Sequence, residues 1–94
     1  MPTYEITERF RNEHSRLTVA QRSAFRRAVE RFVSDLEHGQ FRPGLRVKGI
    51  AGMPGCFEMS RAGDGRAIFS YGPETRPGEP HVIWLAIGSH AILP

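Results

Sequence analysis

The spacing of apolar residues changes once along this chain, from a helical period to a strand period, and this change restricts the fold more than any other feature. Between Thr18 and Gly39 the apolar residues recur every three or four positions, which predicts an amphipathic helix of about 19 residues. The segment Thr18–Gln21 has the form of a capping box, and Gly39 is a natural end. The apolar stripe of this helix consists of Phe25, Ala28, Val29, Phe32, Val33 and Leu36. A helix with one apolar face must pack against a second layer.

Beyond residue 40 the period is two, which is typical of strands with one buried face. A turn signature at residues 62–65 predicts a hairpin, and residues 72–80, with two glycines and three prolines, predict an irregular connection. The last strand is apolar on both faces, as expected of a central strand. The predicted strands are Leu45–Lys48, Cys56–Arg61, Arg66–Tyr71 and His81–Ile87.

Two shorter elements are predicted before the long helix. Thr7 is a suitable N-cap for a helix over Glu8–His14, and Thr3–Ile6 could form a short opening strand, which is not counted in the sheet. Together the elements predict an α+β fold in which two N-terminal helices pack on a four-stranded, mainly antiparallel sheet.

Strand alternation assigns the side chains to two faces of this sheet. Trp84 can share the outer face, because Val82, Trp84 and Ala86 alternate with their neighbours, whereas Arg61 has the parity of the buried residues and is left out of any site. A basic face with one large aromatic suits phosphates and a stacked base. The residues predicted to face the helices are Leu45, Val47, Phe57, Met59, Ala67, Phe69 and Tyr71, and those predicted outside are Arg46, Lys48, Glu58, Ser60, Arg66 and Ser70.

Size and composition indicate one globular domain spanning residues 1–94, since hydrophobic residues make up 39% and charged residues 24% of the chain. The longest stretch near an end without charged residues has 14 residues, too few for a membrane span, and the first residues do not predict a secretion signal. The single cysteine excludes an internal disulfide. We therefore expect a cytoplasmic protein.

Positive charge is concentrated in the middle of the chain. The net charge is +3, and residues 42–66 alone carry five basic against two acidic side chains. Such a patch indicates an acidic partner, either nucleic acid or an acidic protein segment. A solvated surface with no partner is the alternative.

Three segments carry a resemblance to a known family. Gly52–Met59, Asp64–Phe69 and Val82–His90 follow one another in an order that resembles the RelE/ParE toxin superfamily of bacterial toxin–antitoxin systems. The resemblance covers residues 17–93, and the ending Gly88-Ser89-His90 is most similar to the YafQ-type branch, whose catalytic histidine lies in a Gly-Thr-His motif. It implies a curved sheet against two helices, an mRNA endoribonuclease acting on the ribosome, and a cognate antitoxin as partner.

The resemblance also implies roles for individual residues. His90 matches the catalytic histidine, Arg66 matches the strand arginine that contacts the scissile phosphate, and Asp64 matches an acidic residue near the site. Lys48 lies near a position where the family often has a basic residue for the RNA backbone. Arg46 and Trp84 are the further candidates for RNA contact on the basic face.

These residue types suit RNA cleavage without a metal or any other cofactor. In that reaction the neighbouring 2′-OH attacks the phosphorus, so the site needs a base, an acid and cations for the developing charge. Histidine can act as acid or base, and arginine presents a planar fork to phosphate oxygens. The histidines His14, His38, His81 and His90 are widely spaced and Cys56 is alone, so no metal site is predicted.

Two departures from the family keep a second interpretation open. Glu58 places a negative charge where RelE-type toxins often carry lysine, and the residues after His90 include no aromatic. A non-catalytic binding protein of the same fold, either a gyrase-directed toxin or a degenerate antitoxin-binding partner, would share the remaining features.

Overall fold

The chain folds into two helices and one five-stranded sheet, in a computed structural model that describes residues 1–94. The α+β prediction is therefore confirmed. Two short 3₁₀ helices lie at Pro43–Leu45 and His90–Ile92. No helix is long and apolar enough to cross a bilayer. In chain order the elements are β1 (Thr3–Ile6), α1 (Glu8–Ser15), α2 (Val19–His38), β2 (Lys48–Ile50), β3 (Met53–Ser60), β4 (Gly65–Gly72) and β5 (His81–Ser89).

The sheet has five strands, so the prediction of four was wrong by one strand. The spatial order is β1-β5-β4-β3-β2, with β1 parallel to β5 and every other pair antiparallel. The additional strand is Thr3–Ile6, whose pairing with β5 is reinforced by side chains. The His81 ring is within 2.7 Å of the Thr3 hydroxyl and 2.9 Å of a Glu5 carboxylate oxygen. Strand β5 is consequently central, as its apolar composition predicted.

The predicted strand Leu45–Lys48 was wrong at its start. Pro43–Leu45 form a 3₁₀ turn, and Arg46 follows in the left-handed region at φ 49°. Pro43 suits the first position of such a turn, and Leu45 is 3% exposed because it packs into the core from the turn rather than from a strand. The apolar and basic residues do alternate between buried or half-buried positions and exposed ones, but the strand itself begins only at Lys48.

Helix α2 begins and ends as its sequence predicts. The Thr18 hydroxyl accepts a hydrogen bond from the Gln21 amide at 3.1 Å, and the Gln21 side-chain oxygen accepts one from the Thr18 amide at 2.8 Å. Gly39 adopts φ 77°, a left-handed conformation that glycine reaches without a steric cost. The capping box and the glycine stop are both confirmed.

Trp84 lies in the core, so its predicted place on the outer face was wrong. A bulge shifts the β4–β5 register between Ile68 and Phe69, which places Trp84 opposite Phe69 on the face toward the helices. Only 5% of Trp84 is exposed, and its ring centroid lies 5.4 Å from those of Phe25 and Phe32. One extra residue in a strand moves the side chains before it to the opposite face from the one that alternation with the later residues predicts, and Trp84 lies before the bulge.

Candidate nucleic-acid interface

Glu58 lies at the centre of the sheet face that points away from the helices, hereafter the outer face. It pairs across the sheet with Lys48 on β2 and with Ile68 on β4. Its Oε1 atom lies 3.9 Å from Lys48 Nζ and 3.8 Å from Arg66 Nε. Although it is an acidic residue, Glu58 is only 7% exposed. The outer face therefore carries two cations around one partly desolvated carboxylate.

The residues after β5 turn back over the outer face. Ser89 caps the 3₁₀ helix through its hydroxyl, which accepts from the Ala91 amide at 3.2 Å. The Ile92 side chain occupies the space above Gly88, where a Cβ atom would come within 2.7 Å of Ile92 Cγ2. Ile68 and Ala86, which pair across β4 and β5, are 2% and 1% exposed on this side. The turn therefore holds His90 above the outer face.

His90, Lys48 and Glu58 line one cleft of about 310 Å³, hereafter the His90 cleft. The turn between β2 and β3 closes one side of it, and Leu93 and Pro94 close the other. His90 is exposed, and 69% of the Lys48 side chain is exposed. The cleft thus combines an accessible imidazole, an accessible ammonium group and a carboxylate.

Arg66 is adjacent to this cleft but does not line it. Its Nη1 atom donates to the carbonyl oxygens of Gly63 at 3.1 Å and Gly65 at 2.9 Å. Its Nε atom is buried without a hydrogen-bond partner and faces Glu58, and only 13% of the side chain is exposed. The hairpin therefore fixes Arg66 as a positive charge behind Glu58.

Asp64 and Arg46, like Arg66 and the buried Trp84, do not line the His90 cleft. Asp64 is in the exposed β3–β4 turn and lines a different cleft of about 480 Å³, together with Arg61, Gln21 and other residues of α2. Arg46 lines a third cleft, beside Ser60. Asp64 and His90 therefore line different clefts, because the turn directs Asp64 to the side of the sheet that faces α2.

Glu58 is the residue of this site that sequence reasoning missed. Its strand parity placed it on the outer face, and it was read there only as a departure from the family pattern. Glu58 has two cationic neighbours, Lys48 across the strand pair and Arg66 on β4. Both contacts depend on the strand register, which the sequence does not reveal. No group of three or more histidine, cysteine, aspartate or glutamate residues is placed to hold a metal ion.

Comparison with known proteins identifies the fold. No protein-family model and no curated protein sequence matches the chain. Among solved structures, a chain of the intact E. coli RelBE toxin–antitoxin complex superimposes with a TM-score of 0.62. The match has 18% sequence identity and covers 95% of this chain and 96% of that chain. The protein therefore has a RelE-like fold, as the sequence resemblance implied.

Proposed function

We propose that this chain, which has a RelE-like fold, is the toxin of a toxin–antitoxin pair and cleaves mRNA on the ribosome without a metal. The observation that carries the proposal is the His90 cleft, where an exposed imidazole, a carboxylate and an ammonium group face the same space. Cleavage by 2′-OH attack requires an acid, a base and positive charge within one site. An antitoxin is the expected protein partner, since the matched structure is a toxin–antitoxin complex.

In the proposed reaction Glu58 is the base and His90 the acid. Glu58 takes the proton of the 2′-OH while that oxygen bonds to phosphorus, and His90 gives a proton to the 5′-oxygen as the phosphorus–oxygen bond breaks. The products are a 2′,3′-cyclic phosphate and a 5′-OH end. The Glu58 carboxylate accepts no hydrogen bond, since the nearest cationic atoms, Arg66 Nε at 3.8 Å and Lys48 Nζ at 3.9 Å, are too far away, so its lone pairs are free to accept.

The cations have separate tasks in this proposal. Lys48 is exposed and contacts a phosphate oxygen, whereas Arg66 supplies positive charge from behind Glu58. The exposed Arg46 contacts the RNA backbone outside the cleft. Trp84 and Asp64 take no part, because one is buried in the core and the other faces α2.

A ribosome cleavage assay with purified protein tests the proposal. We expect wild-type protein to generate new mRNA 5′ ends, and His90→Gln and Glu58→Gln each to lower the single-turnover rate on the order of 10²- to 10⁴-fold. Both variants keep hydrogen-bonding capacity but cannot transfer a proton at neutral pH. Arg26→Gln removes an exposed charge on α2 and serves as the control with wild-type activity. Unchanged cleavage in both cleft variants would contradict the site.

A non-catalytic binding protein is the second candidate function, and the burial of Arg66 favours it. With 13% of its side chain exposed and Glu58 beside it, Arg66 is less available to phosphate than a nuclease arginine would be. Under this alternative, ribosomes show no cleavage with wild-type protein, and gyrase is recovered with the protein in a pull-down.

A further inference from the structure

Arg61 extends across three strands at one end of the sheet. It follows β3, its stem lies over Gly65 at the start of β4, and its Nη2 atom donates to the Gly88 carbonyl oxygen on β5 at 3.0 Å. A Cβ atom at Gly65 would come within 2.6 Å of Arg61 Cγ and Cζ, so only glycine leaves room for this path. Arg61 lies on the side of α2, whose residues Ala20 and Ala24 line the same cleft.

The guanidinium of Arg61 is partly withdrawn from water. Its Nε atom is buried and has no hydrogen-bond partner. Burial lowers the pKa of Arg61, and the nearby Asp64 charge opposes that change. Withdrawing a cation from water costs free energy that a single hydrogen bond does not fully offset. A contribution to the free energy of folding is therefore a poor explanation for the Arg61–Gly88 hydrogen bond. The position that this bond gives to Gly88 is a better one.

The end of β5 is held from both faces of the sheet. Gly65 and Gly88 belong to neighbouring pairs of the β4–β5 ladder, Gly65 with Ser89 and Arg66 with Gly88, so their Cβ positions point to opposite faces. Arg61 occupies the helix side above Gly65, and Ile92 occupies the outer side above Gly88. The backbone at Gly88, two residues before His90, is thus held by the Arg61 guanidinium on one face and by the Ile92 side chain on the other.

We propose that Arg61 is a positioning residue for His90, acting through the Gly88 carbonyl to set where the His90 imidazole lies in its cleft. The proposal rests on the proposed function of that cleft. Without the donor, the Gly88–His90 segment loses its tether on the helix side while Ile92 remains. A displacement of about 1 Å in a catalytic group costs on the order of 10²-fold in rate.

Three variants test the kinetic part with the ribosome cleavage assay. We expect Arg61→Met to lower kcat on the order of 10²-fold and to leave KM within about threefold, because His90 acts in the chemical step rather than in binding. Arg61→Lys restores part of kcat through its own donor. Gly65→Ala displaces the Arg61 stem without removing it and reduces kcat in the same way. Arg26→Met, on the exposed face of α2, is the control that keeps wild-type kcat.

Nuclear magnetic resonance tests the positioning itself, with or without nuclease activity. In Arg61→Met we expect the backbone amide signals of residues 88–91 and the ring signals of His90 to change, and in Arg61→Lys to return toward wild type. If wild-type protein cleaves no RNA, the proposed function fails but these signals still decide the role of Arg61. Unchanged signals at residues 88–91 in Arg61→Met would overturn the proposal. If Arg61→Met does not fold, unchanged signals in folded Gly65→Ala would overturn it instead.

Discussion

Asp35 is a buried carboxylate near the end of α2 that fixes the path of the chain toward the site. It accepts three hydrogen bonds from Arg42, one from the backbone amide at 2.9 Å and two from the guanidinium at 2.8 and 2.9 Å. The following residues form the 3₁₀ turn that places Leu45 in the core and leads into Lys48. The Asp35–Arg42 ion pair therefore anchors the segment that leads to Lys48, the first residue of β2 and a lining residue of the His90 cleft.

The Asp35–Arg42 pair predicts an acid-dependent part of the stability. Hydrogen bonds from Arg42 lower the pKa of Asp35 to about 2 in the folded protein, so the unfolded chain binds the proton first as pH falls. The contribution is complete above about pH 4, the ordinary value, and is lost as pH falls toward about 2. We expect urea denaturation between these pH values to show a smaller pH dependence for Asp35→Asn than for wild type. Glu37→Gln, an exposed change on the same helix, should keep the wild-type dependence; an equal slope in Asp35→Asn would contradict this account.

Single residues were predictable where their position depends on parity alone. Lys48, Arg66 and Arg61 lie on the faces that alternation assigns to them. Trp84 was misplaced because a bulge carries no signal in an apolar strand. Parity says nothing about Asp64, a turn residue whose place near His90 was implied only by the resemblance. The Trp84 error follows from backbone geometry that forms only when strands pair.

The N-terminus of α2 offers a test of how the long helix is held. Thr18→Ala removes the hydroxyl that accepts from Gln21 and should lower the free energy of unfolding by about 1 kcal/mol. Thermal or urea denaturation measures the change. Ser23→Ala removes a hydroxyl within the same helix that makes no side-chain hydrogen bond, and it should be neutral or slightly stabilising. If both variants lose the same amount, the capping box contributes nothing specific.

Among the elements, both helices and the two hairpin strands were predictable because their signals are local. Caps, a stripe of apolar residues and a Gly-rich turn each act within a few residues. Strand β1 was identified but left out of the sheet, since its partner His81–Ser89 lies far along the chain. The 3₁₀ turn at Pro43–Leu45 was missed because its last residue, Leu45, begins the alternation of apolar and basic residues that continues to Lys48.

For the molecule as a whole, the distribution of charge predicts how RNA binding responds to salt. If Lys48 contacts a phosphate, Lys48→Gln should reduce the slope of log affinity against log salt by about 0.7 for single-stranded RNA, whatever its sequence. Arg27→Gln removes the same charge from the exposed side of α2 and should leave the slope unchanged. Fluorescence anisotropy with labelled RNA measures both. An equal loss of slope in the two variants would place the RNA elsewhere than on the outer face.

The parallel pairing of β1 with β5 has a consequence for synthesis. Strand β1 has no neighbour other than β5, and Thr3 lies 78 residues before its partner His81. At elongation rates of about 5–20 residues per second, β1 waits roughly 4 to 16 s before that partner exists. Until then the core lacks Val82, Trp84 and Ile87. The His90 cleft also lacks the side that His90, Leu93 and Pro94 form. The core and the His90 cleft therefore form together, once β5 has emerged from the ribosome, and under the proposed function nuclease activity begins only at that point.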